Sequence, residues 1–321
     1  YILITFSIWS CNHKKSISYM LDDVSNEYAK LFKIQIDSSG NKSILIYDIW
    51  DENKGSKFIP NDILKKDLER VVCMSTTHIS FFEILGALDV IVGVSGAKYI
   101  SNKEIQNKIS SGEITDIGFE STLNYEALIK LAPQLVITYG IRGENNSYIR
   151  KIEELGIPVI SIGDYLEEHP LGKTEYLKLF GVLLNKEQEA DSLFNNIKDR
   201  YLTIKNQSKN YQYKPMVLLN APWKDVWYIP GEFNYMSTLI KDAGAEVLLE
   251  KKGISHSFGY NIEEIIKEAH LADFWLNPND HVTLKSLLSI NNTISNLRSE
   301  EQTSELQSDV CSSDLFNASS L

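Results

Sequence analysis

The sequence predicts an α/β protein: two Rossmann-like lobes joined by one long α-helix, with a cleft between the lobes. Three observations carry this reading. From Arg70 onward, apolar strand-like runs alternate with helical periods. A long amphipathic helix then covers 185–208. After it, a second strand-and-helix series opens at "KPMVLLNA". Alternation of this kind implies a parallel sheet with helices packed on its faces.

In chain order, "AKLFKIQI" and "SILIYDIW" flank "DSSGNK", so 29–50 reads as a hairpin with turn residues at its tip. It lies in an extension over 12–69 that precedes the first lobe. In that lobe, 70–184, "RVVCM" is a buried strand, "ISFFEILGAL" a short helix and "DVIVGVS" a strand. "NYEALIKLA" and "SYIRKIEELG" are helices, each followed by a strand, "QLVITYG" and "PVISI". The long helix is predicted to be capped by Asn185, with Gln188 as capping-box partner. Leu193, Ile197, Tyr201 and Ile204 keep helical spacing on one face. The second lobe, 209–297, carries "DVWYIP" as a strand, "YMSTLIKDAG" and "IEEIIKEA" as helices and "ADFWLNP" as a strand.

Two segments echo each other across the long helix. "NYEALIKLAPQLVITYG" and "NIEEIIKEAHLADFWLNP" share N-x-E-x-[LI]-I-K-x-A and then enter an apolar strand. Each Asn suits a helix N-cap, and each Glu two residues on suits the positive end of the helix dipole. The echo is expected from a pair of similar lobes.

The chain has 321 residues, room for two ordinary domains. Its formal net charge of -11 argues against nucleic acid as a partner, since phosphate backbones need clustered Lys and Arg. No P-loop, G-x-S-x-G or C-x-x-C pattern is present. The 6 histidines do not cluster in sequence, which argues against a dedicated zinc site and leaves no resident cofactor or metal expected. The 3 cysteines look unrelated, so no disulfide framework is expected; Cys73 reads as a small core hydrophobe.

The two ends carry signals of their own. "YILITFSIWSC" is apolar, too short to span a bilayer, and followed by polar "NHKKS". It resembles the end of a lipoprotein signal segment over 1–11, with Cys11 as the lipidated residue that tethers the protein outside the cytoplasm. Without an initiating Met or basic leader, the start reads as truncated. At the other end, "RSEEQTSELQSDVCSSDL" shows neither helical nor strand period. It resembles a translated sequencing adapter, so 298–321 reads as non-native and the second lobe as incomplete.

In open α/β sheets, ligands bind outside the carboxyl ends of the strands. Those ends carry Thr77 and His78, Tyr99, Tyr139 and Arg142, and Tyr165 in the first half. In the second half the turn-rich "APWKDVWYIPGEFNYM" supplies Trp223, Trp227, Tyr228, Phe233 and Tyr235, and Phe258 follows. Rigid rings offer contact area at low entropy cost, so Trp223, Trp227, Tyr228, Tyr235 and Phe258 are predicted to line a cleft wall. Arg142 suits an anionic ligand group, because its fork matches carboxylates. His78 could ligate a metal carried by a ligand, and the tyrosines stack on a ligand.

"VVCMSTTHISFFEILGALDVIVGVS", "NYEALIKLAPQLVIT", "KIEELGIPVI", the strut helix and "STLIKDAGAEVLL" follow one another in an order that resembles the substrate-binding proteins of ABC importers for ferric siderophores, haem and cobalamin. The resemblance covers about 43–297. It implies capture of a metal chelate, foremost a ferric siderophore, by a lipid-anchored monomer that delivers it to an ABC permease dimer. Cobalamin or haem is the alternative cargo. The resemblance also implies a docking glutamate on each lobe. Glu83 matches the first; Thr238 falls where the second is expected, with Asp242 or Glu246 as substitutes. Two readings from other classes stand beside it: a two-lobed chelatase-like enzyme, and a surface module for a partner protein.

Overall fold

A computed structural model describes residues 22–24, 26–37, 39–47, 56–59, 61–119, 122–139 and 147–277. Cys11, Arg142, the signal segment and the tail after 297 lie outside the described residues.

The extension forms a four-stranded antiparallel sheet in sequence order, β1 (Asp22–Val24), β2 (Phe32–Ile36), β3 (Lys42–Tyr47) and β4 (Ser56–Phe58). β2 and β3 pair from Phe32↔Ile46 to Ile36↔Lys42. Asp37 holds the turn by accepting from the Ser39 and Asn41 amides, both at 2.8 Å. A short helix α1 (Asn61–Leu64) leads into the first lobe.

That lobe is a five-stranded parallel sheet of order β7-β6-β5-β8-β9. Its strands are β5 (Val71–Cys73), β6 (Ile91–Val94), β7 (Thr115–Asp116), β8 (Leu135–Thr138) and β9 (Val159–Ser161). β5 and β8 are buried throughout, as expected of strands covered on both faces. The covering helices are α2 (Thr76–Ile84), α3 (Lys103–Ser110), α4 (Tyr125–Leu131) and α5 (Ser147–Glu154). The next helix, α6 (Pro170–Leu183), is not marked by any clean amphipathic period, because it is apolar nearly all round and buried to match. Cys73 is buried, and burial pushes its thiol well up.

The strut is α7 (Glu187–Ser208), about 33 Å long at 1.5 Å per residue. Its predicted cap is corrected. Asn185 takes a left-handed φ of 55° to reverse the chain between α6 and α7. Its amide donates to Asp67 instead, at 2.9 Å, and Lys186 occupies the cap position without a side-chain bond. The predicted apolar face is also shifted. Ala190 and Phe194 are buried, Leu193 and Ile197 pack at the edge of the core, and Ile204 is 56% exposed.

The second lobe contains β10 (Met216–Leu219), β11 (Val226–Ile229), α8 (Tyr235–Asp242), β12 (Glu246–Val247), β13 (Phe258–Asn261), α9 (Ile262–Glu268) and β14 (Phe274–Leu276). Its parallel sheet has the order β12-β10-β14. "DVWYIP" does not join it: β11 pairs antiparallel with β13 as a separate ribbon. The echoed segments have matching places. α4 runs into β8 beside β5, and α9 runs into β14 beside β10, both pairs parallel. Both asparagines cap as expected, Asn124 to the Ala127 amide at 2.9 Å and Asn261 to the Glu264 amide at 2.8 Å.

Candidate ligand cleft

The carboxyl ends of β5, β8 and β9 converge on a cavity of about 220 Å³, lined by Ser75, Thr77, Tyr139, Asp164 and Tyr165. Chain direction explains the gathering: parallel strands deliver every following loop to the same edge. Ser75 leaves β5 in an extended conformation and caps α2, accepting from the Thr77 amide at 3.3 Å. The start of α2, with its positive dipole end, therefore borders the cavity. The Tyr139 carbonyl accepts from the Tyr148 hydroxyl at 3.0 Å, which fixes the loop after β8. Three predicted residues, Thr77, Tyr139 and Tyr165, thus come together.

His78 does not join them. It is fully buried on the core side of α2, near the Phe180 ring, and is corrected from a cleft ligand to a core histidine. The helical spacing of His78, Phe81 and Phe82 carries the reason: all three sit on the stripe that packs on the lobe's core. His78 Nε2 lies 3.8 Å from Asp164 Oδ1, an ion-pair distance but not a hydrogen bond. Asp164, in the turn Asp164–Leu166 after β9, was missed from sequence although it directly precedes Tyr165. Burial alone would push its carboxyl up, but His78 and then Lys173 hold it below the ordinary carboxylate value. Lys173 Nζ, from the first turn of α6, lies 3.7 Å from Asp164 Oδ2 and 4.8 Å from the centroid of the Tyr235 ring. Tyr235 opens α8 in the second lobe, so this contact crosses between the lobes.

Tyr99 stands on a separate rim. It is 63% exposed, packs edge-on against Phe119 at 5.6 Å and carries Lys98 over its face. Asp116 organises that rim by accepting from the Gly96 and Ala97 amides.

The aromatic stretch of the second lobe divides in two. Trp227 is fully buried, donates from Nε1 to the Leu219 carbonyl at 2.8 Å and packs on Trp275. It is corrected from cleft wall to core. β11 alternates, so Trp227 and Ile229 point inward while Tyr228 points out. Trp223 is 62% exposed in a tight turn, with Lys224 over its ring at 4.4 Å. Tyr228 and Phe233 are also exposed, and Phe258 is half-buried under Lys251. Tyr235 is the ring that a described contact ties to the first lobe, through Lys173 beside Asp164.

Of the candidate docking carboxylates, Glu83 is exposed near the end of α2. Thr238 is not outward-facing: its hydroxyl donates to the Glu168 carbonyl of the first lobe at 3.0 Å. Asp242 is tied up by the strut, with Tyr201 and Lys205 both on its Oδ2. Glu246 remains solvent-facing, 3.9 Å from Lys214. A second concavity of about 570 Å³ lies beyond Glu83, where Ile84–Gly86 meet the start of α7, away from the cleft.

This architecture, two α/β lobes on a helical strut with a cavity at the strand ends, defines a class of extracytoplasmic binding proteins. A periplasmic binding protein family model matches residues 71–319, and the chain belongs to that family. The resemblance to ABC-importer substrate-binding proteins and the predicted fold class are thereby borne out. A Methanocaldococcus jannaschii protein described as an uncharacterized lipoprotein is 28% identical over 271 residues, covering 79% of this chain. The chain spans 64% of that relative's length. The periplasmic haem-binding protein HutB of Vibrio cholerae superposes with a TM-score of 0.56 at 18% identity, covering 72% of this chain and 84% of HutB. The molybdate-binding protein MolA of Haemophilus influenzae gives 0.54 at 18% identity, covering 69% and 71%. At such identities these two structures show the shared fold.

Proposed function

We propose that this chain captures a metal chelate, foremost a ferric siderophore, in the interlobe cleft and hands it to an ABC permease dimer. The observation that carries the reading is the convergence of Thr77, Tyr139, Asp164 and Tyr165 on one cavity, with Tyr235 of the other lobe tied to its rim through Lys173, the ion-pair partner of Asp164. Hydroxyl groups over a partly aromatic surface suit a chelate, which presents both polar oxygens and apolar faces. Haem or cobalamin in the same role is the nearest variant. Membership in a solute-binding family supports delivery rather than catalysis. Glu83 supports docking of the first lobe, and Glu246 is the remaining solvent-facing carboxylate for the second. A lipid on Cys11 would keep a monomer near the permease, a role supported by the lipoprotein description of the archaeal relative.

The test is purification from a rich medium followed by an absorption spectrum. A broad charge-transfer band is expected for a ferric siderophore, a Soret band for haem and corrinoid bands for cobalamin. Failure of all three chelate classes to bind the purified protein in titration would overturn the reading.

A further inference from the structure

We propose that Lys173 is the specificity-determining residue of the cleft, and that it selects chelates carrying an anionic oxygen, such as a carboxylate or catecholate, at their periphery. The inference rests on the cleft reading above and names the ligand class for it.

Lys173 is only loosely tied within the first lobe. It sits in the first turn of α6, where a cation faces the positive end of the helix dipole. That position is electrostatically unfavourable for a cation. Its nearest carboxylate oxygen, Asp164 Oδ2, is 3.7 Å away, too far for a hydrogen bond, and that oxygen has no hydrogen-bond partner.

The burial of the pair is uneven. The Asp164 side chain is 3% exposed and the Lys173 side chain 27% exposed. The anion is held inside, against His78 Nε2 at 3.8 Å, and the cation is left outermost. The ammonium is thus the more accessible member of the pair, at ion-pair distance from a residue that lines the cavity. The Tyr235 face, 4.8 Å from Nζ, flanks it from the second lobe. A cation held between a buried carboxylate and an aromatic face sheds part of its water, which strengthens pairing with an incoming anion. Asp164 then acts as a positioning residue that aims the ammonium into the cleft. The hydroxyls of Ser75 and Thr77, on the same cavity, can donate to the same anionic group.

The experiment titrates four probes into the wild-type chain: haemin with its two propionates, an anionic ferric tricatecholate, a neutral ferric trihydroxamate and cyanocobalamin. The same titrations are run on Lys173→Met and Lys173→Arg. The expected result is binding of an anionic probe that weakens about tenfold or more in Lys173→Met, since a charge-assisted hydrogen bond contributes about 1.5–3 kcal/mol. Lys173→Arg is expected to bind the anionic probe more tightly than Lys173→Met, because the charge is kept. Wild-type affinity for the anionic probe is also expected to fall with added salt, a readout that needs no variant. Anionic binding that is unchanged in Lys173→Met and insensitive to salt overturns the inference while leaving chelate capture standing. So does wild-type binding of the neutral probes alone. A wild-type chain that binds none of the four overturns both.

Discussion

The Tyr201 hydroxyl donates to Asp242 Oδ2 at 2.6 Å, fastening the strut to the end of the second-lobe helix α8. Lys205 Nζ approaches the same oxygen to 2.8 Å, and the Ser208 hydroxyl donates to the Asp242 carbonyl at 2.9 Å. Burial, and then Asp242 itself, push the Tyr201 phenol up, so it remains a donor across the ordinary pH range. Asp242→Ala would strand that donor and the ammonium beside it. The expected loss is about 1–3 kcal/mol, with Tyr201→Phe costing about 1 kcal/mol. Urea unfolding measures both; midpoints equal to wild type would show that water replaces the cluster without cost.

The same junction predicts a pH dependence. His169 caps α6, its Nδ1 accepting from the Leu171 amide at 3.1 Å, which requires that nitrogen unprotonated. Burial lowers the His169 pKa from 6.5 by more than Asp242, with an oxygen at 3.9 Å, raises it. The unfolded chain therefore takes up the proton first. This contribution to stability is fully present above about pH 6.5 and is lost as pH falls through the lower folded pKa. His169→Asn keeps a capping side chain without a titrating group. Its stability should fall less than that of wild type over this window; parallel pH profiles of the thermal midpoint would contradict the assignment.

The extension is clasped by two buried glutamates of the first lobe. Glu175 accepts from the amides of Glu27, Tyr28 and Ala29 at 2.8–2.9 Å, and Glu167 from those of Lys30 and Leu31. Gly172 lets this loop lie close, since a Cβ there would meet the Tyr28 carbonyl at 3.2 Å. Glu175→Ala would leave three amides without their acceptor, at about 1–3 kcal/mol for each one that water does not reach. Hydrogen exchange should accelerate at 27–31 before it does in β5 or β8. Uniform acceleration across the lobe would mean that the extension and the sheet unfold as one unit.

This clasp marks the limit of what local sequence can reveal. Glu175 meets its partners across a separation of 146 to 148 residues, and no periodicity encodes such a pairing. The lobes were legible because buried parallel strands such as Val71–Cys73 and Leu135–Thr138 are uniformly apolar and short helices separate them. The twin caps Asn124 and Asn261 were legible for a similarly local reason. Asn185 misled because a tight turn between α6 and α7 needs the left-handed conformation that Asn also favours. Part of the site is legible in the local spacing. The i, i+3, i+4 spacing of His78 with Phe81 and Phe82 places it on the core stripe. Lys173 could not be found this way, because its meaning comes from Asp164 and Tyr235, neither of which is its sequence neighbour.

Glu83 is solvent-facing on a helix whose opposite end borders the cleft. If it meets a permease arginine, Glu83→Lys should abolish uptake and leave chelate affinity unchanged, because like charges at a docking rim oppose association without touching the ligand. Uptake assays paired with titration of the purified variant separate the two effects. Normal uptake by Glu83→Lys would remove this residue from the docking surface.

The two tryptophans of "PWKDVW" should respond in opposite ways. Trp227 fills the second-lobe core with Leu219, Ile229 and Ile265, and its indole N–H is satisfied by a main-chain carbonyl. Trp227→Ala leaves a large cavity and an unpaired carbonyl, so a loss of about 3–5 kcal/mol is expected. Trp223 is mostly exposed and bonds through its backbone to Val226, so Trp223→Ala should change stability by no more than about 0.5 kcal/mol. If Trp223 covers the ligand when the lobes close, the same substitution weakens chelate binding about tenfold. Iodide should quench Trp223 emission in the free protein, and ligand should protect it, while Trp227 stays shielded in both states. Unchanged affinity in Trp223→Ala, together with iodide quenching that ligand does not alter, would place Trp223 outside the cleft and leave Tyr235 as the second lobe's aromatic contact.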